Sequence, residues 1–213
     1  MTKPLLIETQ LFEPTKVSLT EGKSERGNPI VEGILATAEV KNGNGRYYKR
    51  SLWEREMKKY REAINENRAC GELDHPDSSV INLKNVSHNI VDAWWDGNHI
   101  VGKLEILCDS PDGTRKGTPS GNILKALLDS GIKVGVSSRG MGSLKENNGL
   151  LEVQDDFELL CWDFVSTPSN PGSWMNPVGA LNESIQFSQY NPYKKVNSII
   201  TDILCSQGNC PIF

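Results

Sequence analysis

Residues 83–107 read LKNVSHNIVDAWWDGNHIVGKLEIL, and this stretch decides the fold class. Two apolar runs, residues 83–95 and 99–107, stand on either side of Asp96, Gly97 and Asn98. A short Asp-Gly connection between two such runs is a strong local signal of a β-hairpin. The stretch therefore predicts two antiparallel strands in the middle of the chain.

The sequence around this hairpin alternates between strand and helix patterns. A helix is predicted from Lys49 to Asn65, because apolar residues recur there every three to four positions. These are Leu52, Trp53, Met57, Tyr60 and Ile64. A shorter helix is predicted over residues 124–128, before Gly131. Four further runs favour strands: residues 30–40, 132–137, 150–153 and 157–165. Short strands with few helices predict a β-rich α+β fold, either a barrel or a sandwich with outer helices.

Composition excludes several classes of protein. The chain has 213 residues, with 23 basic and 27 acidic side chains and a formal charge of −4. It therefore has no overall basic field to hold nucleic acid, and no nucleic-acid partner is predicted. No run approaches the roughly 20 apolar residues of a membrane helix, and the N-terminal apolar stretch is too short for a secretory signal. Five cysteines without metal-type spacing predict neither a metal site nor another cofactor.

Charge is distributed unevenly along the chain. Residues 184–213 carry only three charged side chains and are rich in Ser, Asn and Gln. The sequence therefore predicts a folded domain over residues 1–183, followed by a C-terminal segment, residues 184–213. Within that segment only residues 196–204 have the periodicity of a short helix.

Candidate site residues lie at two places where predicted strands meet turns. His75 is followed by Pro76, which favours an extended backbone and keeps the histidine out of a helix. Ser137 and Ser138 close a predicted strand, where a hydroxyl and free backbone N–H groups can face a carbonyl carbon. The alternatives are a surface turn histidine and a polar strand terminus.

Asp163 is the third candidate, because it interrupts the apolar strand predicted over residues 157–165. Strand alternation places it on one face with Leu159, Cys161 and Val165. An acid on an apolar face needs a dedicated partner, and an imidazolium is the partner that would matter chemically. The alternative is that the Asp163 side chain faces solvent.

Three sequence blocks resemble the prohead core proteases of T-even-like tailed bacteriophages. They are GELDHP at residues 71–76, AWWDGN at 93–98 and GVSSRGMGSL at 135–144. The resemblance spans roughly residues 5–183 in matching order. It implies a serine endopeptidase with an assemblin-like fold, related to herpesvirus maturation proteases, in which helices surround a mostly antiparallel β-barrel.

The resemblance also implies roles for individual residues. Ser137 matches the nucleophile, His75 the general base and Asp163 the third member of a triad. The herpesvirus relatives place a second histidine in that third position, and Ser138 is the rival nucleophile. Backbone N–H groups are expected to stabilise the oxyanion, with Arg139 and Ser138 as candidate supporting residues. The alternative for Arg139 is an exposed residue that forms a salt bridge.

The resemblance further implies substrates and a place of action. The expected substrates are prohead scaffold and capsid proteins, cut after Glu in Leu/Ile-x-Glu sequences inside the assembling prohead in the host cytoplasm. Residues 181–184, LNES, match this pattern, which predicts self-cleavage between Glu183 and Ser184. A second match around Glu32 lies in a predicted strand and is expected to be protected. A homodimer or higher oligomer is possible by analogy with assemblin.

Two other functions remain open from the sequence. The first is a non-enzymatic scaffold or assembly component of the prohead, in which the serines are only structural. The second is a metal-dependent hydrolase that uses Glu72, His75 and either His88 or His99, although their spacing matches no compact metal motif.

Overall fold

A computed structural model describes residues 3–7, 22–147, 149–166, 169–170, 173 and 175–177. Its helices and strands follow in this order: β1 (Leu5–Ile7), β2 (Ile30–Thr37), β3 (Arg46–Tyr47), α1 (Arg50–Asn65), β4 (Cys70–Glu72), β5 (Val86–Asp96), β6 (His99–Ile106), α2 (Pro119–Asp129), β7 (Gly135–Met141), β8 (Leu144–Asn147), β9 (Leu150–Val153), β10 (Glu158–Val165) and β11 (Asn176–Pro177). This part of the chain is β-rich with two helices, which confirms the predicted α+β class.

The predicted hairpin forms the centre of a five-stranded sheet. β5 and β6 are antiparallel, and Asp96 lies opposite His99 across a turn in which Gly97 has a φ of 57°. This left-handed backbone suits glycine, which has no Cβ to clash. β2 extends the sheet beyond β6, and β4 extends it beyond β5, to give the order β11-β2-β6-β5-β4.

A second sheet, in the order β1-β7-β10, carries two of the candidate residues. The sequence predicted a strand over residues 132–137, but β7 begins at Gly135 and continues to Met141. It runs past the serines because both of its edges are paired, with β1 on one side and β10 on the other. The prediction that Ser137 closes the strand is therefore wrong, and Ser137 lies inside it. The third sheet has the order β3-β9-β8.

The predicted β-barrel is not confirmed, because no sheet formed by the described residues closes on itself. β10 and β4 lie side by side, but a single parallel bridge between Leu73 and Phe164 joins them. One bridge is not a ladder of hydrogen bonds, so the five-stranded sheet and the β1-β7-β10 sheet stay separate although they approach each other closely here. This junction positions the candidate site.

The helices cover the core with the residues that the periodicity indicated. All five apolar positions predicted for α1 are buried, and Trp53 and Tyr60 pack on Trp162 of β10 at ring distances of 6.1 and 4.9 Å. α2 begins at Pro119, earlier than predicted, because the Thr118 side chain caps it by accepting a hydrogen bond from Gly121 N at 2.9 Å.

Several predictions concern residues outside the described part of the chain. These are the C-terminal segment 184–213, its short helix at 196–204, and the cleavage pair Glu183 and Ser184. Among the residues that the structure does describe, neither helix has the length and apolar character needed to cross a membrane.

Candidate active site

The loop that follows β4 places His75 at the junction of the five-stranded sheet and the β1-β7-β10 sheet. Asp74, directly before it, has a φ of 67° and donates its backbone N–H to Phe164 O of β10 at 2.7 Å. That bond holds the loop against β10 and turns the imidazole inwards. The His75 side chain is only 9% exposed.

Asp163 lies fully buried on β10 and accepts hydrogen bonds from two directions. His75 Nδ1 lies 2.8 Å from Oδ2, and the backbone N–H of Glu72 donates to Oδ1 at 2.9 Å. Burial by itself raises the pKa of Asp163, but these two hydrogen bonds and the Arg139 charge outweigh it and hold the pKa below its usual value. The carboxylate is therefore ionised near neutral pH.

This contact fixes the tautomer of His75. An ionised carboxylate only accepts hydrogen bonds, so the proton of a neutral imidazole must be on Nδ1. The lone pair is then on Nε2, which is buried and has no hydrogen-bond partner within the described residues. The His75 nitrogen that can accept a proton is therefore the one that does not contact Asp163.

Ser137 is opposite Asp163 in the β7–β10 ladder, so the two side chains share one face of the sheet. Ser138 is opposite Trp162 on the other face, beside the aromatic core. The Ser137 hydroxyl is fully buried and lies 2.8 Å from the hydroxyl of Ser169, and it makes no hydrogen bond to His75 among the described contacts. The structure thus joins His75 to Asp163 and places Ser137 next to that pair without a direct hydrogen bond.

Arg139 is also fully buried on this face, so the alternative that it is exposed is wrong, although it does form salt bridges. Its Nε lies 2.8 Å from Asp163 Oδ2 as an ion-pair contact, and Nη2 donates to Glu72 Oε1 at 2.8 Å. Nη1 donates to the backbone oxygen of Ser78 at 2.7 Å. The cause is strand alternation, because positions 137 and 139 face the same way as Asp163 across the ladder.

The other two histidines make contacts that do not suit a metal site. His88 is fully buried, with Nε2 3.1 Å from Trp162 O and Nδ1 2.9 Å from the Ser87 hydroxyl, and burial lowers its pKa to about 4. His99 lies at the hairpin turn, 3.0 Å from the Thr37 hydroxyl. Across the described residues, no group of three or more His, Cys, Asp or Glu side chains converges as a metal site would require. The geometry does not support the metal-dependent alternative.

Gly71 allows β4 to approach β10 closely enough to bring these groups together. A Cβ at this position would lie 2.0 Å from Trp162 O and 2.4 Å from the His88 ring. Neither neighbour can move freely, since one is backbone and the other is packed edge-on against Phe164 at 4.7 Å. Packing thus requires the glycine of the GELDHP block.

Comparison with known proteins identifies the family. The sequence model of the prohead core protein serine proteases matches residues 5–185. The chain belongs to this family. It is 35% identical over 150 residues to the prohead core protein protease of Enterobacteria phage T4, covering 69% of this chain and 68% of that protein. The solved structure of the bacteriophage T4 capsid assembly protease, gp21, aligns with a TM-score of 0.65 and 31% identity, over 78% of this chain and 99% of that one.

Membership of the prohead core protein serine protease family makes the chain a serine protease. The enzymatic prediction is confirmed, and the family match is evidence against the non-enzymatic scaffold alternative. The roles of individual residues stay predictions, because they depend on the geometry described above.

The sequence analysis did not predict the site contacts of three residues, Arg139, Glu72 and Ser169. Strand alternation along GVSSRG could have placed Arg139 on the same sheet face as Ser137. Asp163 lies opposite Ser137 in the ladder and is on that face as well. Glu72 and Ser169 carried no comparable signal, since the first contacts Arg139 and the second Ser137 only through tertiary structure.

Proposed function

We propose that this protease cleaves proteins of a phage prohead during head assembly, with Ser137 as nucleophile, His75 as general base and Asp163 as the group that orients His75. The observation that carries the residue assignment is the buried His75–Asp163 contact of 2.8 Å beside Ser137. The substrate class and the site of action inside the prohead rest on the names of the relatives, a prohead core protein protease and a capsid assembly protease. An oligomer, and the absence of nucleic-acid and membrane partners, stay predictions.

The chemistry is acyl transfer. Ser137 Oγ attacks the scissile carbonyl carbon while His75 Nε2 takes the hydroxyl proton, and Asp163 stabilises the resulting imidazolium. Collapse of the tetrahedral intermediate breaks the C–N bond, and His75 gives its proton to the leaving amine. Water then repeats the sequence on the acyl-enzyme. This mechanism requires the Ser137 hydroxyl to replace its hydrogen bond to Ser169 with one to His75 when substrate binds. Catalytic hydrogen bonds commonly tighten only in the complex with substrate.

The oxyanion of the intermediate needs N–H donors aimed at it. Arg139 Nη2 already donates to Asp163 and Glu72, and Nη1 donates to the Ser78 carbonyl. We therefore assign oxyanion stabilisation to backbone N–H groups rather than to Arg139, and Ser138 faces the core instead of the substrate.

A fluorophosphonate probe tests the proposed nucleophile directly. We expect covalent labelling at Ser137, located by peptide mapping, and a loss of labelling of at least about a hundredfold in His75→Ala because the general base is removed. His99→Ala is the matched control, since His99 contacts Thr37 at the hairpin turn, and it should label like wild type. Absence of labelling in the folded wild type, or labelling at another serine, would overturn the assignment.

Self-cleavage after Glu183 is the second part of the proposal. Leu181, Asn182, Glu183 and Ser184 match the pattern implied by the resemblance, and the family model ends just beyond them at residue 185. The other match, at Glu32, lies in β2 with strands paired on both sides, β6 and β11, where an extended substrate strand cannot be drawn into a protease site.

Intact-mass spectrometry of the purified protein checks this. Active wild type is expected to lose residues 184–213, whereas Glu183→Gln should retain them and Asn182→Gln should be processed normally. No fragment should end at Glu32. Retention of the full mass by a wild-type sample that labels with fluorophosphonate would contradict self-cleavage at this position.

A further inference from the structure

A buried cluster of charges lies behind the His75–Asp163 pair. Arg139, Glu72 and Asp163 are each fully buried, and the guanidinium of Arg139 lies between the two carboxylates. Arg139 Nη2 is 2.8 Å from Glu72 Oε1 and 3.2 Å from Asp163 Oδ1, while Nε is 2.8 Å from Asp163 Oδ2. Nη2 thus donates a hydrogen bond to Asp163 Oδ1, and the guanidinium charge also faces Oδ2, so one planar group contacts both oxygens of the carboxylate.

The same two residues also hold the loop that carries His75. Arg139 donates to the backbone oxygen of Ser78, and Glu72 Oε1 accepts from the backbone N–H of Asn82 at 3.0 Å. Ser78 and Asn82 both lie in the connection between β4 and β5 that contains His75. Arg139 and Glu72 thus fix the two partners of the His75–Asp163 contact relative to each other.

The formal charges of the cluster do not cancel at rest. One guanidinium faces two carboxylates, which leaves one negative charge in excess. Glu72 Oε2 is also buried without a hydrogen-bond partner in the described part of the chain, a state that costs stability. A charge kept at such a cost suggests a use, and a transient imidazolium on His75 would neutralise it.

We propose that Glu72 and Arg139 are positioning residues of the protease: they orient Asp163 and the His75 loop, and their carboxylate surplus stabilises the His75 imidazolium that forms during acyl transfer. This inference rests on the proposed roles of Ser137, His75 and Asp163. Arg139 and Glu72 contact Asp163 and the loop that carries His75, so we assign both an action through the histidine.

Glu72→Gln tests the charge. The amide keeps an acceptor for Arg139 and for Asn82 N, so the fold should survive, but the surplus negative charge is gone. We expect kcat for a peptide spanning residues 178–190 to fall about a hundredfold, with KM nearly unchanged, because a buried charge close to a developing cation acts on the transition state. Glu105→Gln is the matched control, since Glu105 is equally buried and accepts from Arg26, Asn28 and Ser24 far along the chain from the site. Its kcat should equal that of wild type.

Arg139→Lys and Arg139→Met distinguish the effect of the arginine's hydrogen bonds from the effect of its charge. Lys keeps the positive charge but cannot reach three acceptors at once, so kcat should fall while the acid limb of the kcat/KM profile stays in place. Met removes a charge that helps to lower the pKa of Asp163, so that pKa rises and the acid limb of the kcat/KM profile should move to higher pH than in wild type. The titratable groups that face Asp163 are His75 and Glu72, which belong to the proposed device, and His88, Cys161 and Tyr60. Burial lowers the pKa of His88 and raises the pKa values of Cys161 and Tyr60.

The outcomes distinguish this inference from the proposed function. If wild-type hydrolysis does not depend on Ser137 and His75, the proposed function fails whatever Glu72 does. If it does depend on them, and folded Glu72→Gln and Arg139→Lys keep wild-type kcat and pH profile, the positioning role is overturned. Should Arg139→Met not fold, the Glu72→Gln and Arg139→Lys variants decide the question by themselves.

Discussion

Ser137→Ala is expected to abolish peptide hydrolysis, lowering kcat by a factor on the order of 10⁶ while leaving the fold unchanged. The loss is large because no acyl-enzyme forms without the hydroxyl, and His75 then has no serine proton to accept. The substitution removes one oxygen from a fully buried site whose other hydroxyl, that of Ser169, remains. Thermal unfolding should therefore change only modestly.

Ser138→Ala is the matched control for this experiment. Ser138 is the neighbouring residue and is also buried, but it lies opposite Trp162 on the other face of the sheet. Hydrolysis by Ser138→Ala should stay within about twofold of wild type. The measurement is the hydrolysis rate of the 178–190 peptide, followed by mass spectrometry. Loss of activity in Ser138→Ala with retention in Ser137→Ala would make Ser138 the nucleophile.

Asp163→Asn is expected to lower kcat by about 10⁴-fold. An amide can present its NH₂ to His75 Nδ1, which then becomes the acceptor, and the imidazole proton moves to Nε2. The nitrogen that must accept the Ser137 proton is thereby blocked. The negative charge that stabilises the imidazolium is lost as well, and Arg139 keeps only Glu72 as a buried charged partner.

The pH dependence of stability supplies a second readout for Asp163. Its pKa is lowered on folding, so the ionised carboxylate stabilises the folded state above about pH 4, its unfolded value, and that contribution is lost as pH falls through the lower folded pKa. Urea unfolding of Asp163→Asn should lack this part of the acid dependence.

Glu56→Gln controls for the loss of any buried carboxylate. Glu56 is 2% exposed and accepts from Arg55, Lys59 and the Leu159 N–H, away from the site. It should lose stability without losing kcat. If Asp163→Asn remains within tenfold of wild type while Glu56→Gln behaves as expected, another group orients His75.

Much of the fold could be predicted from local patterns. The hairpin, the buried stripe of α1 and the strands at 150–153 and 157–165 all follow from periodicity and turn residues, which act between neighbours in sequence. The boundaries of β7 could not be predicted in this way. They depend on pairing with β1 and β10, and the pairing partners lie elsewhere in the chain.

The sequence by itself determined the family, through blocks of residues whose order and identity match, and it marked Asp163 as an acid that needed a partner. Only the tertiary structure decided what that partner is, because His75 and Asp163 are 88 residues apart and meet through sheet pairing and a loop. It also decided that Arg139 is buried rather than exposed, that Glu72 joins the same charge cluster, and that Ser137 contacts Ser169. The reason is physical: backbone periodicity is set by residues two to four positions apart, whereas a buried charge exists only where distant groups converge to solvate it.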